Sequence, residues 1–502
     1  MATRIDEILT ERLRKIEELT RLGIDLYPAR SQKEAANGEV VANFAKYEGK
    51  SLNLAGRIVS WREHGKLIFG HLYDASGKIQ LFISEGFMRP MNKEKQTLGF
   101  ANLRLLDIGD FVQVYGPIIK TKTGEVSVRV EEVRLLAKSL RPLPEKWAGI
   151  KDPETAFRKR YLDLLMSPEK KERFERKARF WEANRKFMKD HGFIEVETPI
   201  LETTVGGADA RPFVTHMNAL DQDFFLRIST ELYEKRLLAG GFEKIYTLGP
   251  NFRNEGMDDE HLPEYYQLEW YWAYADYHDG MKFVKEMYRY VAREVYGRTK
   301  FTSRGMTYDL ADEWEEIDYA KVIKEKLGVD VFSSTDGVMM KVVRAKGLKL
   351  AGDVNRARLI DNLWKLVRKE IAGPAFLINE PKFMSPLAKS KPENPEVTER
   401  FHVIIAGSEI GNGYSELNNP VDQRARLTEQ QKAREEGDEE AQMMDEDFVE
   451  MLEYGMPPTC GWGHSERLFW FLEDVSAREG TLFPPLRREH PSSRGSGLSP
   501  LS

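Results

Sequence analysis

Apolar residues recur at helical spacing through the start of the chain, at Ile5, Ile8, Leu9, Leu13, Ile16, Leu19 and Leu22, with charges between them. The spacing predicts an amphipathic helix over Met1 to Leu22 that ends at Gly23. From Leu52 to Leu136 the texture changes to short alternating runs, LNLAGRIVSW, KLIFGHLYDA, KIQLFIS, DFVQVYGPIIKT and EVSVRVEEVRLL, punctuated by Gly-Lys and Thr-Gly turns. Five such strands predict a small closed β-barrel, any other small β-domain being the alternative. Pro142 and Pro144 mark a linker. Pro168 to Asp190 reads as a long charged helix closed at Gly192, and Phe193 to Glu197 as a strand stopped by Pro199. The acidic run Glu435 to Glu450 reads as a solvated helical face. The Ser-, Gly- and Pro-rich segment after Glu489 has no periodicity and is expected to be a disordered tail. The expected division is residues 1–145, helix and barrel, then 146–489, a larger α+β domain, then 490–502, the tail.

Composition narrows the class. A chain of 502 residues with 41% hydrophobic content can bury large cores in two or three domains. The sequence contains no run of eighteen apolar residues and its first segment has no apolar h-region, so a non-membrane, cytoplasmic protein is expected. One cysteine, Cys460, excludes a disulfide framework or a thiolate metal cluster within one chain. The net charge of −6 carries no global signal for nucleic acid.

The segment Asn251-Phe252-Arg253-Asn254-Glu255, followed by His261, Tyr265 and Gln267 to Tyr271, carries the densest chemistry. An Arg and a Glu two residues apart face the same side of a strand, so one strand end would present a phosphate fork and a carboxylate to one pocket. That pairing suits a substrate with both phosphate and amine, the alternative being a surface ion pair of little worth. Around it, in order, stand KARFWEANRKFMKDHGFIEVETPIL, Gly206 to Phe213 (GGADARPF), Leu226 to Tyr233 (LRISTELY), Glu409 to Asn418 (EIGNGYSELN) and MPPTCGWGHSERLFWFL. The order and spacing resemble the class II lysyl-tRNA synthetases. The resemblance extends into the barrel through KTKTGEVSV, RLLAKSLRPLPEKW and FRKRYLDLL, from about residue 50 to about residue 489.

The resemblance implies an OB-fold anticodon-binding barrel, the best-known five-stranded form, before a class II catalytic domain, an antiparallel sheet flanked by helices. It implies ATP-dependent activation of L-lysine to lysyl-adenylate and transfer to tRNA(Lys), with Mg2+ and a homodimer formed through the first helix and strand. Arg253 and Arg467 are then the catalytic cations, since a guanidinium offers bidentate geometry and permanent charge. ATP is expected at Arg253, Glu255, His261, Tyr265, Glu409 and Arg467. Lysine is expected at Gly207, Glu231, Glu269, Tyr271, Asn412, Tyr414 and Glu416, where Glu231 and Glu416 receive the side-chain ammonium. The anticodon falls to Arg62, Phe69, Gln80 and Glu125, and the metal to Glu409. Transfer needs no dedicated base, because the adenylate is already activated and the tRNA hydroxyl need only be positioned.

Three departures from the family pattern stand out. His402 occupies the place of a second carboxylate metal ligand, the third motif is one residue short between Gly463 and Arg467, and Glu260 stands where some members carry a phosphate-contacting Arg. Two alternatives stay open: a lysine ligase acting on a protein acceptor, and an RNA-binding relative with a decayed site. ATP–pyrophosphate exchange separates the last from an enzyme.

Overall fold

A computed structural model describes residues 4–144, 150–348, 355–438 and 440–488. The chain forms two compact units, Met1–Asp152 and Pro153–Ser502. The expected boundary at 145/146 and the tail at 490–502 lie outside the described residues.

In the first unit the predicted helix spans Arg4–Arg21, burying Leu9 and Leu19, and Gly23 follows with φ +75, which a glycine adopts without strain. Strands Ser51–His64, Leu67–Asp74 and Gly77–Ser84 form a meander, and Val126–Val130 and Phe111–Lys120 complete the order. Ser51–His64 also pairs with Phe111–Lys120, which closes a five-stranded OB barrel. The fifth predicted run is broken, because its second part, Glu132–Ala137, pairs with Phe111–Lys120 in a register one residue out of step with Val126–Val130. At the break the chains nearly touch. A Cβ on Gly116 would lie 2.0 Å from the Arg129 carbonyl oxygen. Leu72, Ile79, Leu81, Ile83, Val112, Val114 and Val128 fill the interior.

The second unit is built on an eight-stranded sheet in the order Glu315–Asp318, Ala375–Ile378, Arg400–Ile405, Ser408–Ser415, Thr459–Ser465, Glu264–Ala273, Lys244–Phe252 and Ile194–Glu195. Its central pairings are antiparallel, and only the two edge pairings are parallel. The strand expected over Phe193 to Glu197 is reduced to Ile194–Glu195, whose ladder reaches only Ile245 and Tyr246, the Val196 amide making a last bond to the Tyr246 carbonyl at 2.9 Å. Helix Tyr277–Tyr296, capped by Asp276, covers one face of the sheet with Met281, Val284, Met287, Tyr288 and Val291. Helix Pro168–Asp190 forms as predicted. Along Glu264–Ala273 the period of two divides the work: Leu268 and Trp270 enter this core, while Gln267, Glu269 and Tyr271 face the other way. Each large apolar side chain so buried contributes about 1.5–3 kcal/mol.

The acidic run is not one solvated helical face. Helix Pro420–Glu435 ends at Glu436, Gly437 takes φ +108, and a new helix, Glu446–Tyr454, starts under an Asp445 cap. The irregular backbone between the helices turns Asp438, Glu440 and Gln442 toward the site. Among the described residues no helix is long and apolar enough to cross a membrane.

Candidate active site

The face of the sheet away from helix Tyr277–Tyr296 carries a furrow set by register. Tyr271, Gly461 and Tyr414 stand abreast on three adjacent strands, as do Glu269, Gly463 and Asn412 one step further along. With glycine in the middle of both rows, the outer side chains become walls. The space above the glycines is filled partly by the protein itself. A Cβ on Gly461 would meet Glu416 Oε1 at 2.2 Å and Tyr271 at 2.5 Å, and one on Gly463 would meet Gln267 Nε2 at 2.8 Å. The furrow opens into a cavity of about 600 Å³ lined by Gly207, Glu231, Arg253, Glu269, Tyr271, Asn412, Tyr414 and Glu416, which gathers every expected lysine-site residue.

Three of the buried carboxylates that line this cavity belong to the expected lysine set. Glu269 accepts from Ser229 Oγ at 3.1 Å, Tyr271 Oη at 2.7 Å, Thr230 Oγ1 at 3.1 Å and Gln267 Nε2 at 2.9 Å. Glu231, at the start of helix Glu231–Ala239, accepts from Tyr414 Oη at 2.7 Å. Glu416 follows strand Ser408–Ser415, and its Oε1 is buried with no hydrogen-bond partner. Burial pushes the carboxyls of Glu269 and Glu416 up, and repulsion from Glu231 adds to it. Sequence reasoning missed the counter-charge. Lys235, fully buried, lies 2.5 Å from Glu231 Oε1 and 2.5 Å from Glu416 Oε2. Burial alone would lower its pKa, but the two carboxylates raise it and hold the ammonium charged. Its i,i+4 spacing from Glu231 was the available signal. Gln442 was missed as well; its Oε1 accepts from the Gly207 amide at 3.3 Å and ties the irregular segment to the cavity.

A second cavity of about 280 Å³ is lined by Arg253, Glu255, Glu260, His261, Tyr265, Gln267, Glu409, Asn412 and Arg467. Arg253 belongs to both cavities. Arg253 and Glu255 do not share a strand face as the spacing suggested. The strand ends at Phe252, and the Glu255 amide donates to the Arg253 carbonyl in a turn, so a loop rather than the pleat aims both side chains. The Arg253 Nε is buried without a partner, and its guanidinium lies 5.5 Å from the Tyr265 ring. His261 is held by Asp258 at 2.8 Å, and burial together with Arg467 lowers its pKa. Glu255 is pushed up by burial. Glu260, at the edge of this cavity, has its carboxylate engaged by Arg304 and Ser408.

In the third motif a single residue, Glu466, joins strand Thr459–Ser465 to helix Arg467–Glu473, and its carboxylate pairs with Lys177. The helix begins at Arg467, whose Nη1 donates to the Glu409 carbonyl at 2.8 Å. Glu409 accepts from Trp364 Nε1 at 2.5 Å and lies 3.4 Å from His402 Nδ1. Burial opposes its ionisation, but His402 leads the groups that hold it well below the usual carboxylate range. His402 sits 2.7 Å from Glu380, and although burial lowers the imidazole pKa, Glu380 and Glu409 together raise it. Its two ring nitrogens thus face carboxylates. Among the described residues no group of three or more His, Cys, Asp or Glu is arranged to hold a metal by itself.

On the barrel, Phe69 and its cross-strand neighbour Arg62 lie outside the core. Phe69 packs against Phe82 at 5.5 Å and remains half-buried between the fully buried Ile68 and Gly70. Gln80 donates to Glu125 at 2.5 Å, Glu125 contacts His71 at 2.9 Å, and Ser60 contacts the other nitrogen of His71 at 2.7 Å. Phe69, Gln80 and Glu125 thus belong to one outward-facing patch, with His71 an unexpected member.

The family described as tRNA synthetases class II (D, K and N) matches residues 152–487, and an OB-fold nucleic acid binding domain matches residues 52–136. The fold is that of a class II aminoacyl-tRNA synthetase. The chain is 47% identical over 488 residues to the lysine–tRNA ligase of Thermotoga maritima, covering 96% of each chain. It is 43% identical to that of Thermoanaerobacter pseudethanolicus, again over 96% of each, and 43% identical to that of Roseiflexus castenholzii, over 96% of this chain and 99% of the relative. This chain belongs to the lysine–tRNA ligases. It activates lysine with ATP and charges tRNA.

Proposed function

We propose that the larger cavity holds lysine, that the smaller holds ATP, and that Arg253 stands at the point where they react. Activation joins the lysine carboxylate to the α-phosphorus of ATP and expels pyrophosphate, so two anions must be brought together and developing charge neutralised. The observation that carries the reading is Arg253, a cation common to both cavities with a buried, unpartnered Nε. Glu269, at the inner wall, takes the α-ammonium, while Glu231 and Glu416, behind the tyrosine pair, take the side-chain ammonium. Arg467 stacks on the adenine, a contact worth about 0.5–2 kcal/mol, and Glu255 accepts from its amino group. His261 and Tyr265 border the phosphates.

Magnesium fits a reduced site. Glu409 would supply one protein carboxylate toward the ion, with phosphate oxygens of ATP and water as its other hard ligands. His402, ion-paired on both sides, supplies a fixed positive charge instead of a second ligand. Bound magnesium would neutralise phosphate charge. The barrel patch at Arg62, Phe69, Gln80 and Glu125 reads the anticodon by stacking and edge contacts. The working protein is a cytoplasmic homodimer, with the barrel domain ending near residue 145 and the catalytic domain near residue 489.

Lysine-dependent ATP–pyrophosphate exchange tests the reading. Exchange with lysine alone among the twenty amino acids, abolished in Arg253→Ala and sharply weakened in Glu231→Gln, is the expected result. Unchanged exchange in Arg253→Ala would overturn the assignment of the two cavities.

A further inference from the structure

Two carboxylates at the end of the furrow already have an ammonium group of the protein's own. Lys235 Nζ sits 2.5 Å from an oxygen of Glu231 and 2.5 Å from an oxygen of Glu416, its side chain fully buried. The rings of Tyr414 and Phe448 flank it, 5.6 Å and 5.7 Å from Nζ. The remaining valences are distributed unevenly. Both oxygens of Glu231 accept from Tyr414 Oη, one of them also from Lys235. Glu416 sets Oε2 2.5 Å from Lys235 Nζ in an ion pair, neither of its oxygens makes a hydrogen bond, and Oε1 lies against Gly461 on the floor of the furrow.

Charge counting follows from this geometry. With both carboxylates ionised, Glu231 and Glu416 would set two negative charges against the one positive charge of Lys235, leaving a single unit of negative charge at the end of the furrow, and Glu416 Oε1 is the oxygen that the ion pair does not hold. That matches one alkylammonium. Without Lys235, two carboxylates would face one incoming cation across a buried gap, and their repulsion would turn them apart or protonate one of them.

We propose that Lys235 is a positioning residue for lysine recognition, a resident ammonium that holds Glu231 and Glu416 in register and leaves one acceptor, Glu416 Oε1, for the substrate's side-chain ammonium. It acts through the two carboxylates and does not touch the reacting atoms. The assignment rests on the reading that the larger cavity takes lysine.

The experiment is lysine-dependent ATP–pyrophosphate exchange with Lys235→Met, which keeps the length of the stem and deletes the charge, with Glu416→Gln, and with the double variant. The expected result is a KM for lysine raised tenfold or more in Lys235→Met, with kcat at saturating lysine within about threefold and the KM for ATP unchanged. The double variant should be no worse than the worse single variant, because both changes strike one arrangement. A KM for lysine that stays put or falls in Lys235→Met, or multiplicative losses in the double variant, would overturn the proposal. If Lys235→Met does not fold, Lys235→Gln carries the same measurement. If neither folds and millimolar lysine does not restore folding, Lys235 is a structural ion-pair partner only and the proposal fails. Absence of lysine-dependent exchange in the unaltered enzyme would instead defeat the reading of the cavity on which it rests.

Discussion

Replacing His464 with Gln removes a titratable ring from one of the most enclosed places in the catalytic unit. The ring stacks on Trp181 at 6.4 Å, meets Tyr288 edge-on at 5.5 Å, and accepts from Trp462 Nε1 at 3.4 Å, while its Nε2 is buried with no partner. Burial pushes its pKa down from 6.5 to about 3. The folded protein therefore declines a proton that the unfolded chain accepts below pH 6.5, so stability falls as pH drops from 6.5 toward 3. Each pH unit in that window costs about 1.4 kcal/mol, so at pH 5 the loss from this one residue is about 2 kcal/mol. Gln is neutral throughout and can still accept from Trp462, so His464→Gln should flatten that part of the profile. The assay is denaturant unfolding followed by tryptophan fluorescence at pH 8 and pH 5. The quantity of interest is the stability difference between the two proteins at one pH minus that at the other, which cancels any pH-independent repacking. A value near zero would refute the reasoning, because it would mean that water reaches the ring and that it titrates normally.

Three further outcomes are expected. Arg253→Lys should lower the exchange rate by about 10²- to 10³-fold, because a point charge does not reproduce the fork between two anions; stopped-flow adenylate formation checks it. Phe69→Ala should weaken tRNA binding by about 1–3 kcal/mol and leave lysine activation unchanged, as read by filter binding beside pyrophosphate exchange. Glu202, buried beside Arg227, has its carboxyl pushed from 4.5 up to about 8 by burial. The folded state then holds a proton that the unfolded chain releases, so stability declines as pH rises from 4.5 to 8, and Glu202→Gln should recover on the order of 3–5 kcal/mol of it at pH 8.5 in thermal unfolding.

The parts of this molecule that obey a simple period could be read from its letters. Gln267, Glu269 and Tyr271 alternate with Leu268 and Trp270, and the sheet sorts them to opposite faces as a period of two requires. The same rule misled at Arg253 and Glu255, because the strand stops at Phe252 and a turn replaces the pleat. Lys235 escaped notice because a lysine in a charged helix ordinarily reaches water, and only tertiary packing against Phe448 and Tyr414 encloses it. Gln442 lay hidden in an acidic run whose break at Gly437 redirects the chain toward the cavity. Glu231 and Glu416 are distant in sequence, and no local pattern could reveal that they share one ammonium.

The furrow across Tyr271, Gly461 and Tyr414 separates two kinds of selectivity. Its walls stand two strand spacings apart, about 9–10 Å, a width held by backbone hydrogen bonds that no side chain can renegotiate. Its charge, by contrast, is written entirely in replaceable groups on separate elements. Evolution or an engineer can retune which cation the furrow accepts while inheriting its gauge unchanged, whereas a substrate of different girth would demand a different sheet.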